Sequence, residues 1–535
     1  MKYNKLFFSI VICMLLAGAS LQAQVTVEDT TGQKIEILNY TRQLTFKTID
    51  DTTKLTIIVG TVKMRQGNSL FFCDSCVMNN NAKVFEAWGN VKIIDSDTAT
   101  VTANHLRYLT QRKLAYLDGN VKLTDGHAVL TTPDLEYDME TNIGTYLHGG
   151  KVVNKKSILT SQEGFYYADV KDVFFKKNVV VNDPAYKIVT DSMIYNTETR
   201  TTRFISSTTI TDSSGRIIRT REGYINQETG KAEFGQRPEI IDGDVSVTGT
   251  TISRNDSTGI TIVTGNGIIR NAKDSTTLIG NTIIRNEKTQ AMLATGKPLL
   301  ILQQKNDSIF IKADTLFSAR ISDKFGIDSI IVDTVKGTKR PAFDEKDSTN
   351  RYFEAFRNVV IYNDSLQAAG DSMFYSFRDS TFRLYYNPVV WAQKSQITGD
   401  TILLFTKNRK PHRMQAFENG FMVNEVEPNV YNQIKSTRID GWFTDGNIDS
   451  VRAMAYAECI YYIQDEDSAY TGINESKCDI IDIYFAAKEL DKVVFRNQVT
   501  GTIWPIRQKG PEEMRLQGFQ WLEERRPKTK FEMYE

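Results

Sequence analysis

Cys73 and Cys76 stand in FFCDSCVM with the Cys-x-x-Cys spacing at which paired thiolates hold zinc or exchange a disulfide. The run around them reads as a strand, in which positions i and i+3 face opposite sides. No second Cys-x-x-Cys completes a zinc site, and Cys459 and Cys478 are too far apart to form one. Buried strand thiols are therefore the reading, with no metal. The four histidines, His105, His127, His148 and His412, neighbour no His-x-x-x-His or Gly-x-Ser-x-Gly pattern. Asp95, Asp97, Asp118, Asp125, Asp134 and Asp138 fall at turns, where a carboxylate bonds its own backbone. A parallel β-helix enzyme acting on polysaccharide would instead gather acids and a base on one face. Gly265-Asn266-Gly267 suggests a phosphate loop, but no helix follows and it reads as a turn. No catalytic constellation or cofactor is expected.

The elements that carry these residues repeat. FEAWGNVKIIDSDTATVTANHLRY at 85–108 is followed by LAYLDGNVKLTDGHAVLTTPDLEY at 114–137. Val91, Val121, Val152 and Val179 recur at spacings of 30, 31 and 27, and a second phrase ending in Tyr lies between them. Register of this kind is the mark of a repeat architecture, in which one unit cannot bury its apolar face alone. Ala99, Val101 and Ala103 share one side of a strand, as do Ala115, Leu117, Val121 and Leu123, with Thr, Lys and Asp between them. Asp118-Gly119-Asn120, Asp125-Gly126 and 138–142 read as turns. Gly249, Gly265, Gly280 and Gly296 then recur every 15 or 16 residues. That length fits two short strands with two turns, so the thirty-residue phrase reads as a pair of rungs.

Composition limits the classes. Of 535 residues, 41% are hydrophobic and 24% charged, enough for an ordered core. Lys+Arg and Asp+Glu stand at 65 each, so the chain has no net field to draw nucleic acid. Residues 1–23 have a positive start at Lys2 and Lys5, an apolar run from Leu6 to Leu16, and small residues up to Ala23, the pattern of a cleaved signal peptide. The run is shorter than the ~20 residues of a spanning helix, and Cys13 lies inside it, not at a lipidation site.

A larger copy follows: FEAWGNVKI at 85–93 returns as FEAFRNVVI at 353–361. We read a first β segment over 24–335, a polar linker over 336–350, a second β segment over 351–490, and a tail over 491–535. Within the tail, KGPEEMRLQGFQWLEERRP is the one helical patch.

The phrases A-x-G-N-V-x-(I/L) and T-x-(D/N)-x-L-x-Y, placed after a signal peptide, resemble the OstA-like family, relatives of the lipopolysaccharide-transport protein LptA and of the N-terminal domain of LptD. The resemblance is strongest over 55–215 and returns over 350–410. With RLQGFQW in the tail, the chain is similar to the longer Bacteroidetes members. The resemblance implies an all-β, elongated, repeat-built β-jellyroll (a β-taco) of short antiparallel strands, here with a short C-terminal helical tail. It also implies a periplasmic protein, associated with outer-membrane assembly, that carries lipid A acyl chains in an apolar groove and docks other Lpt-type jellyroll components through strand edges. End-to-end homo-oligomers are compatible with the same edges. Inward positions, and so lipid-contact candidates, are Ala99, Val101, Ala103, Leu106, Tyr108, Leu117, Val121, Leu123, Leu135 and Tyr137; Lys92 and Lys122 are candidates for lipid phosphate at the rim, against the commoner reading of exposed strand lysines. The competing reading is a structural or adhesive β-solenoid whose inward positions are packed shut.

Overall fold

Val84–Asp95, Ala99–Leu109 and Leu114–Thr124 begin fifteen residues apart, and each is one strand. The fifteen-residue unit is thus a single bent strand, and the thirty-residue phrase an antiparallel pair. A computed structural model describes residues 35–535 except 51–52, 67–68, 96–98, 125, 304–307, 326–328, 334–337, 342–348, 408–409, 445, 466–468 and 487–488. The signal peptide expected over 1–23 lies outside the described residues. The protein is all-β, built of stacked antiparallel strands. Turns recur where the Tyr-ended phrase closes. The side-chain oxygens of Asn196, Asn226, Asn255 and Asn286 each accept from the backbone N–H groups two and three residues on, at 2.8 to 3.3 Å.

The Gly-Asn of the repeated phrase corrects its reading as a turn, because it lies inside a strand and folds it. Gly119 and Asn120 within Leu114–Thr124 have φ of +76° and +54°, and Gly265 and Asn266 within Ile260–Asn271 have +70° and +50°. Lys177-Asn178, Arg357-Asn358 and Glu418-Asn419 adopt the same tandem left-handed conformation. Two such residues bulge one strand against a single residue of its partner, so the register slips between Trp88 and Val91. At the corner, the lone residue donates its N–H to the first bulge residue of the next strand, as Thr250 does to Gly265 (2.8 Å) and Asp314 to Arg357 (3.0 Å). The bulge Asn then donates from Nδ2 to the neighbouring aspartate: Asn90 to Asp74 at 2.9 Å, and Asn419 to Asp400 at 3.1 Å. Glycine suits the first position because of its positive φ. At Gly89 a Cβ would also lie 2.5 Å from Asp74 Oδ2.

The chain forms two compact units that divide between Ala115 and Tyr116. In the first, the strands Thr53–Gln66, Ser69–Asn79, Val84–Asp95 and Ala99–Leu109 pair in sequence. Their inner rows are Met64, Phe71, Ile93, Val101 on one arm of the bend and Ile58, Cys76, Ala87, Leu106 on the other.

The second unit is built from the same bent strands. On one arm, cross-strand pairing links Leu130, Val152, Leu159, Val181, Ile188, Ile210, Ile218, Ile240, Val247, Ile269, Leu278 and Leu300 into one aliphatic ladder. It runs on through Ile311, Ile361, Ala368, Val390, Ile397, Met422, Ile434 and Cys459. The facing arm carries Tyr146, Gly164, Phe175, Met193, Phe204, Gly223, Phe234, Ile252, Val263, Ile283 and Ala294 in the same way. Residues of both arms enclose one core.

The polar stretch read as a linker does not interrupt this sheet, since Thr315–Ala319 pairs directly with Tyr352–Tyr362. Between them, Ser329–Asp333 pairs antiparallel with Thr338–Pro341. The tail is mostly extended. Its helical content is two short 3₁₀ helices, Glu523–Arg525 and Lys530–Tyr534. It crosses the outer face of one arm as a strap, held by two buried glutamines that act as surrogate strand backbone. Gln433 donates to Met514 O (2.8 Å) and accepts from Leu516 N (2.9 Å), while Gln396 donates to Gln520 O (2.9 Å) and accepts from Leu522 N (2.7 Å). Met514 and Leu516 pack on Phe421, Val423 and Ile460, and Met533 on Leu299, Ile301 and Phe310. This cover explains why Val389–Ala392 is buried on both faces.

Candidate functional site

The inner face of the bent sheet is the feature that repetition builds. In the first unit, Ala103, Leu106 and Tyr108 are buried, while Ala99 and Val101 are half-buried toward the strand end. In the second, Leu117, Val121 and Leu135 are buried, and Leu123 and Tyr137 half-buried. The spacing explains the change of phase. Leu117 and Val121 are four apart because their strand holds the two-residue bulge, whereas Ala103 and Leu106, which face the bulge of Val84–Asp95, are three apart. Lys92 and Lys122 are exposed and alternate with buried Val91, Ile93 and Val121, so they point away from the interior, as exposed strand lysines do.

The same phase change corrects the cysteines. The corner at Asp74 lies between Cys73 and Cys76, so both side chains turn inward and are buried together. A hydrogen bond with Cys73, with burial added, pushes the Cys76 thiol well up. Cys459 and Cys478 lie in one core cluster, and burial raises both. Such thiols resist forming the thiolate that metal binding or exchange requires. Replacing Cys73 and Cys76 with Ala is expected to lower stability by about 1–3 kcal/mol and leave the circular dichroism unchanged. Stoichiometric zinc in the unmodified chain, lost on either substitution, would overturn this assignment.

The aliphatic ladder is not equally closed along its length. From Val181 to Ile283 its side chains and those of the facing row are almost fully buried. At the N-terminal strands of the second unit, Leu130, Val152 and Leu159 of the same ladder are half-buried, while all three pack against the same core. Apolar interior is therefore accessible there. Tyr146, on the facing row at the level of Val152, is buried with its hydroxyl 2.6 Å from Ser161 Oγ, and burial pushes it up to about 12.

Sequence reasoning missed a row of arginines just outside the aliphatic core. Arg254 and Arg285 both pair with Thr261, on the strand between theirs. With Arg216, Asp242, Glu287, Ile240 and Ile269 they line a cavity of about 20 Å³, enough for a single water. Arg254 is paired with Asp256 (2.6 Å) and Glu287 (3.1 Å), and Arg216 with Asp212 (2.9 Å). Their positions follow a run of Ile, Val and Thr with no motif to mark them.

On the outer face, Asp440 accepts from Arg413 (2.8 Å) and Arg438 (2.7 Å), and Asp482 from Arg452 (2.6 Å) and Arg496 (2.7 Å). Burial favours the neutral acids, but these arginine hydrogen bonds more than offset it and hold both carboxyls below the usual range.

Residues 33–191 match a family model described as OstA-like protein. The match spans the repeated phrases at 85–108 and 114–137 that carry the resemblance, while the copy at 353–361 lies outside it. No curated protein matches the chain. The chain carries an OstA-like region, and the bent, paired strands that define it continue beyond residue 191.

Proposed function

We propose that the chain is a periplasmic lipopolysaccharide carrier, exported by its first 23 residues, that takes the acyl chains of lipid A onto its inner apolar face between the inner and outer membranes. The observation that carries this reading is the continuous aliphatic ladder together with its half-buried stretch at Leu130, Val152 and Leu159. Acyl chains are the ligand for such a surface because it offers area and no directed polar contacts. The OstA-like match supports the class of cargo. Thr500–Pro505 pairs with Tyr470–Ala486 and exposes Ile503, which favours docking of another jellyroll by strand addition.

The closed core between Val181 and Ile283 favours a second reading, a structural β-solenoid without cargo. One experiment separates them. A photo-crosslinking residue at Leu130, Val152 or Leu159 should capture lipopolysaccharide in cells, and one at the outward Val129 or Lys151 should not. The captured periplasmic chain should begin at Gln24. Equal capture on both faces, or none in a folded protein, would favour the rod, and a retained Met1 would count against export.

A further inference from the structure

Arg285, Arg320 and Arg351 gather at the mouth of the second unit's interior without the acids that neutralise their neighbours. The pairing of Arg285 with Met292, and of Met292 with Ser318, places Arg285 two strands from Ser318 on the inner face. Arg351 reaches the same point, donating to Ser318 Oγ and Gln290 O, each at 3.2 Å. Arg320 lies across from Arg351, one residue beyond the paired Ala319 and Tyr352, and Ile321 N donates to Asn350 O just past it. The three side chains are half-buried, so they are neither fully solvated nor sealed.

Like charge dominates at Arg351, while Asp242 and Glu287 line the small cavity that Arg285 also lines. Burial lowers Arg351, and the fields of Arg285 and Arg320 lower it further, with Asp274 the opposing carboxylate. Among the described residues, neither Arg285 nor Arg320 has an ion pair, in contrast to Arg254 with two carboxylates and Arg216 with one. Like charges held together in a partly desolvated site cost stability unless a counter-charge joins them. Planar guanidinium forks match the oxygens of a phosphate. Below the trio, Phe353 lies in the apolar core that contains Leu316 and Ala355.

We propose that Arg285, Arg320 and Arg351 form an anion site for a phosphate group, at the polar end of an amphiphile whose chains lie on the inner apolar face. This rests on the lipid-carrier reading for the amphiphile, but not for the phosphate. Lys92 and Lys122, the rim cations suggested by the sequence, lie on the other face of their strands, and the arginines take that role.

The test measures binding of dioctanoyl phosphatidic acid, dioctanoylglycerol and inorganic phosphate to the whole chain by calorimetry. Arg320→Gln is the informative variant, because Arg320 makes no side-chain hydrogen bond among the described residues. Arg351→Gln is its companion. Phosphatidic acid should bind at least tenfold more tightly than the neutral diglyceride, and both variants should remove that difference while keeping diglyceride affinity. Arg320→Gln should leave the apo chain's Tm unchanged or raised. Equal affinity for the two lipids, unaffected by the variants, would overturn the anion site and leave the carrier reading standing. Binding of inorganic phosphate that the variants abolish, with neither lipid bound, would support the anion site and defeat the carrier reading. Absence of binding by all three probes would overturn both.

Discussion

Ile283→Asp is expected to destabilise the second unit by roughly 5 kcal/mol or more, enough to consume much of a domain's net stability. Ile283 is fully buried in the inner row, flanked by Val263 and Ala294 on the neighbouring strands. The substitution removes a packed aliphatic side chain and puts an acid where no donor waits. Its carboxyl would be driven up from the unfolded value of about 3.9. The penalty therefore grows as pH rises above that value and is smallest in acid. Urea denaturation at pH 4 and pH 7 checks both size and sign. Ile283→Val serves as the control, expected to cost only about 0.5–1.5 kcal/mol. A variant with wild-type midpoints at both pH values would mean that the inner row is not the closed core described.

Asp482→Asn should have the opposite pH signature. Asp482 is buried between Arg452 and Arg496, and its loss leaves two guanidinium groups facing each other across a neutral amide. Breaking such a pair costs about 3–5 kcal/mol when both partners are buried. Because these arginines are nearly half-exposed, about 2–3 kcal/mol is expected at pH 7. The carboxyl is held below its unfolded value, so its contribution is fully present above about pH 4 and fades as pH falls through the depressed folded value. Wild-type and variant stabilities should converge on acidification. Parallel curves would show that the carboxylate's charge is not what Arg452 and Arg496 require. Asp440, between Arg413 and Arg438, should behave alike.

Alternation made the strands legible, and the recurrence of Val91, Val121, Val152 and Val179 made the stacking legible, since both follow from the twofold period of side chains on a strand. The corner was harder to see. Asn after Gly is also a common hairpin-turn signal, and only the unequal spacing of Leu117 to Val121 against Ala103 to Leu106 distinguishes a bulge within a strand from a turn between two. Missing the corner misplaced Cys73 against Cys76, because the parity rule holds only along an unbroken strand. The strap escaped for a different reason. Its Glu, Arg, Gln and Leu residues favour a helix locally, but the amides of Gln396 and Gln433 bind it as extended chain from 124 and 81 residues upstream, and no motif announces them. The mouth arginines were hidden because their convergence depends on pairing between strands that are distant in sequence.

The strap also changes how the molecule comes apart. In a stack where each strand touches only the next, disorder can enter at one end and advance strand by strand, each step costing little. Here Lys297 donates to Glu535 O, Arg526 to Gln367, Gln520 lies on Gln396, and Arg515 donates to Asn429 O. On the arm that the strap crosses, strands from Leu299–Leu302 to Val430–Thr444 therefore share one cross-tie. Those strands are expected to melt as a block, while strands beyond the reach of the strap open one at a time.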